Sequence, residues 1–168
     1  MNIAELIAID VHTHAEVSCH QPFDEYGKEF DEAKVRYFNS GKLPTIAETI
    51  EYYRKRKIGL VMFSVDSEFE MGRRRIPNEE VAEAAVANPD IMIAFASVDP
   101  HKGKLGVREM RRLLKEHGVK GFKFHPTSQG FFGGSDRDHH QNGGPGNGEA
   151  ALEMAHGRPA DSITGGKL

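Results

Sequence analysis

Residues 7–17 read IAIDVHTHAEV, an apolar run that turns polar at Asp10, His12 and His14. If this stretch forms a β-strand, its side chains alternate between two faces, so these three side chains point the same way. Two interpretations fit the pattern. The three residues are either the polar end of a strand with solvated histidines, or a pair of metal-ligating imidazoles with a carboxylate beside them. The choice between the two depends on the rest of the chain.

Three further runs share the apolar character of the first. Runs that are apolar on both faces are typical of strands in a parallel sheet that is covered by helices. The predicted strands span residues 6–11, 60–65, 91–98 and 119–124.

Helical patterns lie between these strands. Thr45 and Glu48 have the spacing of a capping box at the start of one helix, which Gly59 can close. Two more amphipathic stretches span residues 77–87 and 105–117. The resulting order βαβαβαβ predicts right-handed crossovers and a parallel α/β sheet of four strands.

Two architectures have this order, an open doubly wound sheet and the first half of a (β/α)8 TIM barrel. No glycine-rich phosphate loop follows the first strand, which argues against a dinucleotide site. The chain, at 168 residues, is short for a complete barrel of ~250 residues.

The composition is that of a globular domain, with 38% hydrophobic and 28% charged residues. A net charge of -3 gives no reason to expect nucleic acid or a membrane surface as a partner. The chain has no apolar run near the roughly 20 residues that span a bilayer, and no secretory signal peptide is evident. Together with a single cysteine, these features favour a cytoplasmic protein.

Two segments interrupt the alternation of strands and helices. Residues 15–44 form a long polar and aromatic connection, a length that is common in functional lids, and a short helix near 30–38 is plausible there. From residue 133 the composition changes, and nine of the 18 glycines fall in the last 36 residues. We therefore expect a domain over residues 1–132 and a disordered, glycine-rich tail over 133–168.

Polar residues collect where each predicted strand ends, the edge at which parallel α/β folds bind ligands. The candidates beyond the first strand are Arg73, Arg74, Ser97, Lys123 and His125. The two arginines can clamp an anionic substrate or belong to a solvated charge run. His125 can be a third ligand, line the site or serve the structure. Lys123 lies in an apolar strand, where its amine needs a partner.

Three motifs at these strand ends resemble the amidohydrolase superfamily. They are IDVHTH over residues 9–14, ASVDP over 96–100 and GFKFHP over 121–126. Their order and spacing are most similar to the amidohydrolase-2 branch, which includes aminocarboxymuconate semialdehyde decarboxylase.

The resemblance implies a metal-dependent (β/α)8 barrel in which His12 and His14 bind a divalent ion, commonly zinc. Asp10 would then orient the histidine ligands. The Lys-x-His-Pro motif of the fourth strand lies at the pocket in the family, so Lys123 and His125 are the expected catalytic residues. From their place at the strand ends, and independently of the resemblance, Ser97 and the two arginines are expected to contact the substrate. The family contains hydrolases and also decarboxylases of small carboxylated compounds.

The chain departs from the family pattern after residue 132, where neither the later strands nor the remaining metal ligands are recognisable. This indicates the N-terminal half of a barrel joined to an unrelated tail, for example by a shifted reading frame. We expect a metal-dependent hydrolase for small carboxylated or acyl substrates, impaired by truncation. The alternatives are a decarboxylase on the same scaffold and a non-catalytic metal-binding remnant. Open sheet edges would favour pairing with a second copy.

Overall fold

Four parallel strands form one sheet in the order β1-β2-β3-β4, curled into half of a barrel. A computed structural model describes residues 1–20, 25–37, 39, 41–72 and 74–131. The strands are β1 (Ala8–His14), β2 (Ile58–Phe63), β3 (Met92–Ala96) and β4 (Gly121–Phe122). The parallel α/β half-barrel predicted from the sequence is thereby confirmed.

Six α-helices connect or follow these strands in the described part of the chain. They are α1 (Glu25–Tyr37), α2 (Ile46–Lys55), α3 (Glu68–Met71), α4 (Asn78–Ala87), α5 (Gly103–Glu116) and α6 (Pro126–Gln129). The capping box of α2 is formed as predicted, because the Thr45 hydroxyl accepts from the Glu48 N–H and the Glu48 carboxylate accepts from the Thr45 N–H. Gly59 does not close this helix. It lies within β2, and the left-handed residue after the helix is Lys57.

The hydrophobic core lies between the sheet and its helices. Leu60 and Met62 of β2 are fully buried there against α2 and α4. Because side chains alternate along a strand, Val61 and Phe63 point to the opposite, concave face of the half-barrel. We call this the open face. The edge of the sheet at β1 is exposed to solvent. Ile7, just before the strand, has 76% of its surface accessible, and Val11 has 70%.

Element ends differ from the predictions by one or two residues in most elements and by more in β1 and β4. β1 continues to His14, beyond the predicted end at residue 11, so both histidines belong to the strand itself. β4 is much shorter than the predicted 119–124, although the Lys123 N–H still donates to the Ala96 carbonyl at 2.7 Å. The predicted tail over 133–168 lies outside the described residues. In the part that is described, no helix is long and apolar enough to span a membrane.

Candidate metal centre

A β-bulge in β1 contains Val11 and the first of the two histidines, His12. Asp10 pairs with Leu60 and Thr13 pairs with Met62, so two residues of β1 oppose one residue of β2. The bulge breaks the alternation that the sequence predicts. Asp10 shares the helix-covered face with Leu60, and the expectation that it points the same way as the histidines is wrong.

The carboxylate of Asp10 bridges the strand and helix α2. Its Oδ1 accepts from the His12 main-chain N–H at 2.9 Å, and its Oδ2 accepts from the Tyr53 hydroxyl at 2.6 Å. The Tyr53 hydroxyl, followed by the His12 amide, holds the pKa of Asp10 below its usual value. Burial, and then the bond to Asp10, raises the pKa of Tyr53. Asp10 therefore orients His12 through the main chain, by a contact with its peptide group.

His12 and His14 converge on the open face. Their Nε2 atoms are 3.1 Å apart and their ring centroids 5.1 Å apart. Both rings meet Phe63 edge to face, with centroids 5.3 Å and 4.9 Å from its own. The two imidazoles therefore pack against the buried ring of Phe63.

The spacing of the two nitrogens suits a shared metal ion. Two nitrogens that ligate zinc tetrahedrally at about 2.0 to 2.1 Å lie roughly 3.3 Å from each other. The 3.1 Å between His12 Nε2 and His14 Nε2 needs little change to reach that value. To hold an ion between them, both Nε2 atoms would have to be unprotonated, so each neutral ring would carry its proton on Nδ1. The two residues therefore fit a divalent ion as one pair of ligands.

A third protein ligand does not join this pair within the described residues. No three His, Cys, Asp or Glu side chains are grouped there closely enough to hold an ion. His125, the third histidine predicted for the site, is the N-cap of α6, and its Nδ1 accepts from the Ser128 N–H at 3.2 Å. In the neutral ring this bond leaves the proton on Nε2. The imidazole of the exposed His125 can therefore present a donor to solvent or to a ligand.

Lys123, which follows β4 at the opposite edge of the sheet, approaches the same Phe63 ring on the open face. Its Nζ lies 5.0 Å from the centroid of the Phe63 ring, within the range of a cation–π contact. This ring supplies the partner that the sequence required for an amine in an apolar strand. The structure thus brings Lys123, His12 and His14 around one aromatic ring.

Ser97, predicted to contact substrate, has no exposed surface. Its hydroxyl accepts from the Asp66 N–H at 3.1 Å. The side chain of Asn78 brackets its main chain, donating to the Ser97 carbonyl at 2.8 Å and accepting from the Ser97 N–H at 2.9 Å. Ser97 connects β2, β3 and α4 in this way, and a role toward substrate stays a prediction.

Asp66, at the carboxyl end of β2, is the centre of a buried ionic network. Its Oδ2 accepts from Lys102 Nζ at 2.6 Å, from Arg75 Nη1 at 3.0 Å and from the Asp99 N–H at 2.9 Å. Its main-chain carbonyl accepts from the fully buried Gln129 side chain at 2.8 Å. This network ties the loops after β2, β3 and β4 together.

Of the two arginines predicted to clamp a substrate, the structure describes only Arg74. Arg73 lies outside the described residues, and Arg74 is exposed at the surface. The neighbouring Arg75 is committed to the network, because it pairs with Asp66, Glu68 and Glu109 at 2.6 to 3.0 Å. Binding of substrate by Arg73 or Arg74 stays a prediction.

Three residues of this region were not singled out from the sequence. The alternation of side chains along β2 could have indicated Phe63, because residues two apart in a strand share a face and Val61 lies on the open face. The hydroxyl of Tyr53 on an apolar helix face signals that a polar partner lies beneath it. Gln129 has no comparable signal, because the carbonyl oxygens to which its amide donates belong to loops far away in the sequence.

The comparisons with known proteins give a family and no individual relative. A family model described as Amidohydrolase matches residues 9–159. No curated protein and no solved structure matches the chain. The match covers all three strand-end motifs and passes residue 132, where composition predicts the domain to end. The predicted boundary and a separate origin of the tail therefore stay predictions. By the extent of this match, the chain belongs to the amidohydrolase family.

Proposed function

We propose that this chain is a metal-dependent hydrolase that acts on a small carboxylated or acyl substrate, with His12 and His14 holding the ion. The observation that carries the proposal is the 3.1 Å between the two Nε2 atoms on the open face. Membership of the amidohydrolase family supports metal-dependent hydrolase or decarboxylase chemistry in general. Zinc is the ion we favour, because two imidazoles at this spacing suit its tetrahedral geometry.

A bound divalent ion supplies a Lewis acid and makes water a better nucleophile near neutral pH. The side chains around the ion would attract the substrate, stabilise the leaving group and hold the strands in place. The ammonium group of Lys123, above the Phe63 ring, can attract the carboxylate of a substrate toward the histidine pair. The Nε2–H of His125 can stabilise the leaving group by donating a hydrogen bond to it, since its Nδ1 accepts from the Ser128 N–H. Ser97 would hold β2 and β3 in place around these groups.

Metal binding by the purified 168-residue chain tests the proposal. We expect about one zinc ion per chain for the unaltered protein, and loss of that ion in a variant combining His12→Ala with His14→Ala. His20→Ala is a matched control, because His20 is an exposed histidine elsewhere, 3.8 Å from Glu83. Unchanged zinc content in the double variant would refute the proposal.

The products separate the two reactions that the family allows. Hydrolysis of an amide or ester releases an acid and an amine or alcohol, whereas decarboxylation releases carbon dioxide. We expect the acid, and release of carbon dioxide in step with substrate loss would replace the hydrolase by a decarboxylase. A chain that binds zinc through His12 and His14 but converts none of a panel of carboxylated amides and esters would be a non-catalytic metal-binding protein.

A further inference from the structure

We propose that Tyr53 is a positioning residue for the candidate metal centre, because it fixes Asp10 and Asp10 fixes the main chain at His12. The inference rests on the proposed function and adds to it a residue on the opposite face of the sheet. Tyr53 lies on α2, among the groups that pack against the helix-covered core. The imidazoles of His12 and His14 lie on the open face.

The chain of contacts is short and continuous. The Tyr53 hydroxyl donates to Asp10 Oδ2 at 2.6 Å, and the His12 N–H donates to Asp10 Oδ1 at 2.9 Å. Both oxygens of one carboxylate are therefore engaged, one by the helix and one by the strand. The helix is itself firmly seated, since Ile46 and Ile50 on the same face are 3% exposed.

The bulge explains why the strand needs this support. An extra residue in one strand leaves a main-chain group without its partner in the ladder. The side chain of Asp10 supplies that partner for the His12 N–H, as aspartate does in other tight local turns. If the carboxylate swings away, the peptide between Val11 and His12 is free to rotate, and the His12 ring moves relative to His14.

The consequence for metal binding follows from the precision that ligands require. A useful site holds its ligand atoms to within about 0.5 Å, and loss of partners that orient metal ligands typically costs 10- to 100-fold in affinity. Tyr53 does not contact His12 itself and acts on it only through Asp10. We therefore expect a loss near the lower end of that range when its hydroxyl is removed.

Tyr53→Phe tests the inference, with Tyr52→Phe as the matched control. The control removes the same atom from an adjacent tyrosine that is 53% exposed and stacks with the Arg56 guanidinium. We expect the zinc dissociation constant of Tyr53→Phe to rise about 10-fold, and that of Tyr52→Phe to stay within about twofold. Equal zinc affinity in the two variants would overturn the inference.

A second measurement needs no metal and keeps the two proposals apart. In the metal-free protein, hydrogen exchange of the His12 amide should become faster in Tyr53→Phe than in Tyr52→Phe. If the double histidine variant keeps its zinc, the proposed metal site is wrong, and this exchange rate alone then decides whether Tyr53 holds the bulge. If that variant loses zinc while both tyrosine variants behave alike in exchange and affinity, only the role of Tyr53 is wrong.

Substitution of Asp10 separates positioning from simple loss of structure. Asp10→Asn can still accept from the His12 N–H and can donate to the Tyr53 oxygen, so both contacts survive with a neutral side chain. Asp10→Ala removes both. We expect zinc affinity close to that of the unaltered protein for Asp10→Asn, and a loss of at least 10-fold for Asp10→Ala. Equal affinity of the two variants would argue against a hydrogen-bonded linkage.

Discussion

At the carboxyl end of β2, the Asp66 side chain is fully buried and its Oδ2 accepts three hydrogen bonds, whereas at the carboxyl end of β1 His12 stands exposed on the open face. Both ends follow an apolar strand and both look like ligand sites in the sequence. The first holds loops together, and the second is accessible to a ligand. Polar residues at a strand end therefore mark a site only where the loops leave them uncovered.

The difference has an electrostatic cause. A carboxylate that is removed from water must be compensated by cations and hydrogen-bond donors around it. The Asp66 carboxylate is paired with Arg75 and Lys102, and it is therefore not available to a substrate. The imidazoles of His12 and His14 need no such compensation, because they contact each other and the Phe63 ring on the open face.

Removal of the Asp66 carboxylate should give the largest loss of stability. Asp66→Ala removes the fully buried carboxylate that Arg75 and Lys102 share and leaves a cavity in its place. Loss of one partner of a buried pair typically costs about 3 to 5 kcal/mol. We expect the lower end of that range, because Glu68 and Glu109 remain near both cations. Urea unfolding measures the change in free energy, with Arg74→Ala as an exposed control that should change it by less than about 0.5 kcal/mol. Similar midpoints for the two variants would show that the network does not hold the loops.

Truncation of Gln129 should have a smaller effect. Gln129→Ala removes the acceptor of the His125 N–H and the donor to the Asp66 carbonyl, and a buried group left unpaired costs about 1 to 3 kcal/mol. Thr127→Ala, in the same short helix but exposed, is the matched control for the unfolding measurement. If both variants unfold at the same urea concentration, α6 is not anchored through Gln129.

The capping box at the start of α2 predicts that the stability of the protein depends modestly on pH. Lys42, together with the N–H and hydroxyl of Thr45, lowers the pKa of Glu48 to about 2. Because this folded-state pKa is below the ordinary value of 4.5, the ionised carboxylate stabilises the protein above pH 4.5. That contribution disappears as the pH falls toward about 2.

Glu48→Gln isolates this contribution, since the amide keeps the shape of the side chain and loses its charge. The difference in unfolding free energy between the two proteins should be present at pH 6 and shrink steadily below about pH 4.5. Thermal unfolding across this range at low salt measures it. A difference that stays constant down to about pH 2 contradicts the assignment.

Substitution of a candidate ligand should have the smallest effect on the metal-free fold. His12 is exposed, so His12→Ala should change the unfolding free energy of the metal-free protein by no more than about 0.5 kcal/mol. The same variant should bind zinc much more weakly. A loss of stability comparable to that of Asp66→Ala would mean that the histidine pair serves the fold and that the two strand ends are alike.

The sequence was sufficient to predict local features and the alternation of strands and helices along the chain. The capping box of Thr45 and Glu48 depends on residues three apart, and the helices over 78–87 and 103–116 follow from their apolar spacing. The strict alternation predicted for β1 failed at Asp10, because an inserted residue changes the face of a side chain without changing the pattern of residue types.

Residue types alone therefore predicted a parallel α/β sheet with a pair of histidines near the end of its first strand, and the resemblance of three motifs to a known family selected the half-barrel. The folded chain determined which polar residues are available to a ligand. Asp66 and Ser97 are buried because loops from β2, β3 and β4 close over them. His12 and His14 remain on the open face because a bulge turns Asp10 away toward Tyr53. Burial and register depend on contacts between distant segments, which local sequence patterns do not encode.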